Sequence, residues 1–499
     1  MLKFNNLTFN FFGVIYICCK FSKLMPLFYK YFKIFVDSKW VEGAEGLEVI
    51  FPYTNEVIFT TSHASLNQIK TVLKNHELNE YYAFEIPNYT KRDILEKTVQ
   101  LLNNKFEDLA LTIAVEAGKP ITLSRLEVQR AIITFKLASE LCFNTRGETL
   151  QLDIHHGLEG RIGMVNRYPV GTILAITPFN FPLNLVAHKV APAIAAGCPI
   201  ILKPSSKTPI TAIKLGEILL EAGYPPELLS IVPCENSVAQ TMVESHVPKL
   251  LTFTGSAEVG WYLKSLVPKK KVLLELGGDA AVYVHKDANL EFAAKKCAYG
   301  AFAYAGQICI SVQRVYIHQE VYSEFMERFV YETEKIKLGD VLDERTVCGP
   351  IIDIKNYKRI MKWIAEAEKK GAIKITGGEE KRNNIISPCI LENVNEKMSV
   401  VKEEVFAPIV NVFVVSDEDE AIKKINQSKY GLQAGIFGHQ HDVIKKFYNK
   451  VQVGGIVVND APTLRIDSMP YGGVKDSGVG REGVKYAYEE MTELKSLIW

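Results

Sequence analysis

Hydrophobic positions along the chain fall into two rhythms. Lys33-Ile34-Phe35-Val36-Asp37 alternates as a short strand ahead of Trp40 and marks where the globular pattern begins. Between about residues 65 and 145 the spacing is helical. Across 92–117, Ile94, Leu95, Val99, Leu102, Leu109, Ile113 and Ala117 recur at helical intervals, with Gly118 as the stop. From 161 to 282 the rhythm changes. β-Branched runs at Gly171–Thr177, Pro199–Leu202, Leu229–Val232, Leu250–Thr254 and Lys271–Leu274 alternate with helical stretches at 184–196, 208–222, 236–245 and 257–265. Such alternation predicts a parallel, doubly wound sheet. A second alternating set runs from 290 to about 460, and no repeat or long linker separates the two. Two packed α/β domains are therefore expected. Residues 146–168 read as a hairpin, Thr149–Asp153 against Arg161–Tyr168 around Gly157 and Gly160. A hairpin of that length needs a surface to pair with.

Composition narrows this picture. The 499 residues suit about three units of ordinary domain size. With 47% hydrophobic and 23% charged residues the chain can bury a large core. Fifty-eight basic against 57 acidic side chains leave a formal charge of +1, which gives no support to a nucleic-acid partner or to disorder. Nine cysteines lie scattered without a CxxC pair. That usage predicts reduced thiols in a cytoplasmic protein, and no metal site.

The first 33 residues differ from the rest, with five lysines and no acid. The apolar run Phe9–Cys19 is too short to span a bilayer, so no stable membrane insertion is expected. It is long enough for a signal-peptide core, yet Cys18-Cys19-Lys20 is not the small-residue cleavage site a secretory signal needs. An N-terminal extension, with Met25 available as an internal start, is the plainest reading; peripheral anchoring and a signal stay open.

Two segments carry candidate chemistry. Phe302-Ala303-Tyr304-Ala305-Gly306-Gln307-Ile308-Cys309 places a cysteine where a helix could begin, and a helix N-terminus lowers a thiol pKa toward the nucleophilic thiolate. Leu274-Glu275-Leu276-Gly277-Gly278 places a glutamate at the end of an apolar strand, as general base or as a strand-end cap. Singly, each residue reads better as structure.

The order of motifs decides between these readings. Val170 to Pro182, with Thr177-Pro178-Phe179-Asn180 inside it, precedes Leu202-Lys203-Pro204-Ser205-Ser206-Lys207-Thr208-Pro209. Then follow Phe253-Thr254-Gly255-Ser256-Ala257-Glu258-Val259-Gly260, the Glu275 and Cys309 segments, and Lys402-Glu403-Glu404-Val405-Phe406-Ala407-Pro408. This series resembles the aldehyde dehydrogenase superfamily over about residues 34–499. The resemblance implies an α/β fold: a Rossmann-type cofactor domain (34–145 and 169–276), an α/β catalytic domain (277–475) and a β-hairpin oligomerisation arm (146–168 with 476–499).

It also implies a mechanism. Cys309 attacks an aldehyde, Asn180 and the Cys309 backbone N–H hold the oxyanion, and Glu275 activates the water that hydrolyses the thioester. The resemblance assigns NAD or NADP to Thr177, Pro178, Phe179, Lys203, Ser206, Gly255, Ser256, Gly260, Leu276, Glu404 and Phe406. Family members that prefer NAD often carry an acid three positions after the lysine. Ser206 stands there, so NADP is admissible as well as NAD. Relatives that pass the acyl group to coenzyme A commonly lack the glutamate, so Glu275 favours hydrolysis, and a silent structural relative would not need all three residues. Val165–Pro169 and Pro178–Pro182 resemble members acting on lactaldehyde, glyceraldehyde or sulfolactaldehyde. Arg465, in the segment 459–467 at the substrate mouth, is the candidate for an anionic or hydroxylated tail, against the alternative of a surface or interface arginine. The arm and the tail at 484–499 imply a homodimer or homotetramer.

Overall fold

The computed structural model describes residues 30–144 and 147–499; the expectations for the first 29 residues lie outside them. Two large sheets carry the chain. One has eight strands in the order Gly478–Val479, Lys271–Glu275, Leu250–Thr254, Ile173–Ile176, Ile200–Lys203, Leu229–Ile231, Ile34–Val36, Lys39–Val41. Its five central strands are parallel and its outer ones antiparallel. Near-continuous apolar runs are what such strands need, because helices cover both faces. The strands at 200–203 and 250–254 are buried at every position.

The second sheet has seven strands, in the order Ile373–Thr376, Cys389–Glu392, Ile409–Val415, Arg314–His318, Ala281–Val284, Gln433–Phe437, Gly455–Val458. All are parallel except the first, which pairs antiparallel at one edge. The helix Asn184–Ala196 runs beneath the first sheet with every residue buried, and Gly197 closes it in the left-handed conformation at φ 80°.

Three features depart from the sequence pattern. The helical region 92–117 is two helices, Asn88–Asn104 and Phe106–Ala117, broken at Lys105. The break lets both apolar faces pack on the long helix Ile121–Asn144, which one straight rod could not do. Gly118 does end the second helix, at φ 61°. An antiparallel pair, Glu45–Phe51 with Glu56–His63, turns through Asn55 at φ 61°, and its sequence gave little alternation to reveal it. Finally, the hairpin strands at Glu148–Leu150 and Gly163–Pro169 find their surface within the chain. The tail strand Thr492–Ile498 pairs antiparallel with Gly163–Pro169 along its whole length, making a three-stranded sheet. Among the described residues, no helix is long and apolar enough to cross a membrane.

Candidate active site

The carboxyl ends of the parallel strands in the first sheet open toward the second, and the chemistry-bearing residues meet there. Glu275 ends its strand opposite Thr254, and the next residue, Leu276, donates its N–H to the Ser477 carbonyl at 3.0 Å. Glycine at 277 gives the Glu404 carboxylate room for a close approach. A Cβ there would lie 2.2 Å from a Glu404 carboxylate oxygen, and Gly278 N–H donates to that carboxylate at 3.1 Å. Glu275 is buried, and its Oε2 has no hydrogen-bond partner. Burial, then the neighbouring Glu482 carboxylate, raise its pKa well above the ordinary range, against the pull of Arg465, Lys189 and Arg481. Burial also pushes Glu404 up, to about 7.

Cys309 sits differently from the expectation. It lies in a turn between the short 3-10 segment Ala303–Gly306 and the strand Arg314–His318, and no helix starts at it. The thiol is not lowered. Enclosure of the sulfur pushes it up to about 11, with Glu404 and Glu275 acting in the same direction and Tyr471 and Arg465 against. The turn is anchored instead by its surroundings. Gln307 receives the Ile352 N–H at 2.9 Å and donates to the Pro350 carbonyl at 3.1 Å, while the Tyr304 hydroxyl donates to the Ala117 carbonyl at 3.0 Å. Tyr304 and Ala305 hold left-handed φ values of 53° and 55°, a conformation costing about 1–2 kcal/mol per residue that such contacts must enforce. The Asn180 side-chain amide donates to the Gln307 carbonyl at 2.9 Å, so Asn180 and the cysteine turn are joined directly. Of the seven described cysteines, Cys309 alone is not fully buried.

Several residues that the sequence did not single out complete the pocket. Tyr471 places its hydroxyl 3.2 Å from Cys309 Sγ, and the Arg465 guanidinium lies 3.8 Å over the Tyr471 ring. Arg465 pairs with Glu482 at 3.2 Å and is not a surface group: its side chain is 6% exposed and its Nε is unpartnered. Glu482 also takes Lys189 at 2.6 Å, and Lys189 donates to Thr252 at 2.9 Å. Burial works against the Glu482 charge, but the Lys189 and Arg465 cations hold it below the usual range. Asp467 fastens the segment carrying Arg465 to two helices, accepting from Arg130 at 2.8 and 3.1 Å and lying 2.9 Å from His188 Nε2. The signal for this network was a lysine and a histidine inside the otherwise apolar stretch 184–196, since such groups are buried only when paired.

The residues assigned to the cofactor line the same edge. Thr177 N–H donates to the Lys203 carbonyl at 3.2 Å, and both side chains are buried. Burial lowers the Lys203 ammonium. Ser256 caps the helix Ala257–Leu266, accepting from Val259 N–H at 3.4 Å. At Gly260 a Cβ would meet Leu276 at 2.3 Å, so the glycine lets that helix pack directly on the strand end. A helix N-terminus beside a glycine turn and a buried lysine fits a dinucleotide diphosphate with its ribose. Phe179 and Phe406 meet edge to face at 5.9 Å, a wall that suits a flat ring. Ser206 Oγ lies 3.2 Å from His63 Nε2, and His63 Nδ1 lies 3.0 Å from Glu235, which is 60% exposed.

Residues 40–497 match the model of the aldehyde dehydrogenase family. The chain belongs to that family. The enzyme is 40% identical over 470 residues to a 3-sulfolactaldehyde dehydrogenase of Priestia aryabhattai, covering 94% of this chain and 98% of the relative. Its fold superposes on aldehyde dehydrogenase 21 from Physcomitrella patens, solved with the reaction product succinate, with a TM-score of 0.92. Identity there is 41%, over 94% of this chain and 98% of the other. It also matches the glyceraldehyde-3-phosphate dehydrogenase of Methanocaldococcus jannaschii complexed with NADP, with a TM-score of 0.88 and 37% identity, covering 91% and 99%. The enzyme is thus an NAD(P)-dependent oxidoreductase acting on aldehydes, as its ordered motifs implied.

Proposed function

We propose that the enzyme oxidises a small hydroxyaldehyde with an anionic or hydroxylated tail, such as lactaldehyde, glyceraldehyde or sulfolactaldehyde, to its carboxylate. The observation that carries this reading is the convergence on the Cys309 sulfur of three groups: Glu275 with an unpartnered carboxylate oxygen, Arg465 with an unpartnered Nε, and the Tyr471 hydroxyl. A named relative acting on sulfolactaldehyde and a solved relative holding succinate support an anionic tail.

In this reading the Cys309 thiolate adds to the aldehyde carbon, and the oxyanion of the thiohemiacetal is met by the Asn180 amide and the Cys309 N–H. One such donor is worth about 3–4 kcal/mol of barrier. NAD or NADP, when bound, supplies the hydride acceptor that turns the thiohemiacetal into a thioester. Lys203, Ser206 and Glu404 would hold its two riboses, the helix start at Gly255-Ser256 its diphosphate, and Thr177, Pro178, Phe179, Leu276 and Phe406 its apolar surfaces. Glu275 then takes a proton from water as the water adds to the thioester carbon. Collapse releases the carboxylate and returns the sulfur. Arg465 pairs with the tail of the substrate while Glu482 keeps the guanidinium in place.

The three-stranded sheet of arm and tail exposes Tyr168 and Leu497 on one face and Leu494 and Ile498 on the other, apolar groups suited to cover by a second copy in a homodimer or homotetramer. Buried, unpaired thiols support a reducing, cytoplasmic setting.

The test is a panel of neutral, hydroxylated and anionic aldehydes with each dinucleotide, followed by the absorbance of reduced nicotinamide. Turnover is expected on hydroxylated and anionic aldehydes, and Cys309→Ala should abolish it. Equal rates across the panel would remove the substrate reading, and an active Cys309→Ala would remove the nucleophile.

A further inference from the structure

The thiol of Cys309 lies in an unfavourable place for ionisation. Among the described residues no helix begins at it, and the charges of Glu404 and Glu275 both act to keep it protonated. Two groups act the other way, the Arg465 cation and the Tyr471 hydroxyl. The Tyr471 hydroxyl lies within hydrogen-bond reach of Sγ, at 3.2 Å. Its ring is fixed on every side. Tyr471 and Glu482 exchange backbone hydrogen bonds at 2.9 and 2.6 Å, Ile310 and Leu432 pack beside the ring, and Arg465 covers one face at 3.8 Å.

We propose that Tyr471 is a catalytic hydrogen-bond donor that stabilises the Cys309 thiolate, taking the part a helix N-terminus plays elsewhere. The assignment rests on Cys309 being the nucleophile. The phenol suits the task because it keeps its own proton. Burial raises it well above its usual value, the neighbouring Cys309 and Glu275 add to this, and Arg465 opposes. A donor that stays neutral while the sulfur ionises can only give its O–H toward the sulfur. Arg465 on the ring face draws electron density from the phenol and makes that O–H a better donor. A hydrogen bond to an ionised acceptor is about twice as strong as a neutral one, so the contact favours thiolate over thiol.

The experiment is alkylation of Cys309 by iodoacetamide across a pH series, without cofactor, in the wild type and in Tyr471→Phe. Alkylation forms the S–C bond and expels iodide, and its rate follows the thiolate fraction. Phenylalanine keeps the ring, its packing and the Arg465 stack, and removes only the hydroxyl. The midpoint of the alkylation profile should move up by about one pH unit, and the rate at neutral pH should fall about tenfold. The kcat should fall while KM for aldehyde and dinucleotide stays near the wild-type value. Thermal melting of the variant checks that the fold is kept, and peptide mapping locates the label. An unmoved midpoint would overturn the role of Tyr471. If Cys309→Ala still turns over aldehyde, it is the nucleophile that fails, so the two failures are distinguishable.

Discussion

On the wall of the cleft built by the eight-stranded sheet, Glu275, Lys203 and the Gly255 turn all stand at the carboxyl ends of parallel strands of one ladder. On the facing wall Cys309, Tyr471 and Arg465 come from turns and loops. The first set is placed by a hydrogen-bond ladder, so the position of one strand end fixes the next. The second is placed by side chains reaching across: Gln307 to Pro350 and Ile352, Tyr304 to Ala117, Asp467 to Arg130. Ladder placement tolerates side-chain changes. Placement by side chains gives fine geometry at the cost of dependence on each anchor. Substitutions on the two walls should therefore fail in different ways, chemistry alone on the first and chemistry with stability on the second.

The sharpest case on the ladder wall is Glu275→Gln. The strand end should survive, and the first turnover with it, because thioester formation does not need this carboxylate. Hydrolysis should slow by about 100- to 10,000-fold, the usual reach of a general base. A burst of reduced nicotinamide followed by a near-stationary phase is the expected trace. The sign with pH follows from the raised carboxyl. The base works ionised, so wild-type hydrolysis should climb as pH rises through a value well above the ordinary glutamate range, and this climb should vanish in the variant. A variant without a burst would mean that Glu275 also serves the oxidation step.

The same contrast explains what could be read from the sequence. Leu250–Thr254 and the helix 184–196 fall where apolar runs and helical spacing put them, because burial on both faces leaves a dense hydrophobic signal. Glu275 stands out as an acid directly following such a run. Cys309 stands out by motif order, yet its local setting is a turn and not the helix start that the sequence suggests. A turn held by Gln307 and by left-handed Tyr304 and Ala305 has no periodicity to betray it. Tyr471 left no trace at all, since its role depends on a partner 162 positions away. The break at Lys105 was equally silent, being imposed by the helix that both halves pack against.

Arg465→Ala probes the loop wall. Removing it leaves Glu482 paired with Lys189, so the loss is that of one hydrogen bond to a charged group, about 1.5–3 kcal/mol. Melting should drop accordingly, unlike in Glu275→Gln. Because stability affects all substrates alike, the informative quantity is a ratio. The kcat/KM for an anionic aldehyde relative to a neutral one of equal length should fall about 10- to 100-fold, the worth of a charge-assisted hydrogen bond. A lowered melting point with an unchanged ratio would make Arg465 a strut for Tyr471 and Glu482 and nothing more.

The smallest effect is expected back on the ladder wall, at the strand ending in Lys203, which we propose meets the dinucleotide. Ser206 puts a neutral hydroxyl where NAD-preferring relatives carry an acid, and His63 sits 3.2 Å from it. Ser206→Glu restores the acid. A new carboxylate there can accept from a ribose 2′-hydroxyl but repels a 2′-phosphate, and solvent near the half-exposed loop screens that repulsion. The ratio of kcat/KM for NADP to that for NAD should fall about tenfold, with melting and the aldehyde KM unchanged. His63 works against the change, because its ring lies close enough to hydrogen-bond the new carboxylate and hold it away from the ribose. Combining Ser206→Glu with His63→Ala should therefore deepen the discrimination rather than relieve it. If neither variant moves the ratio, the 2′ position of the cofactor does not lie over Ser206, and the ladder wall reads the ribose through another strand end, with Glu235, 3.0 Å from His63, an acid placed to carry it.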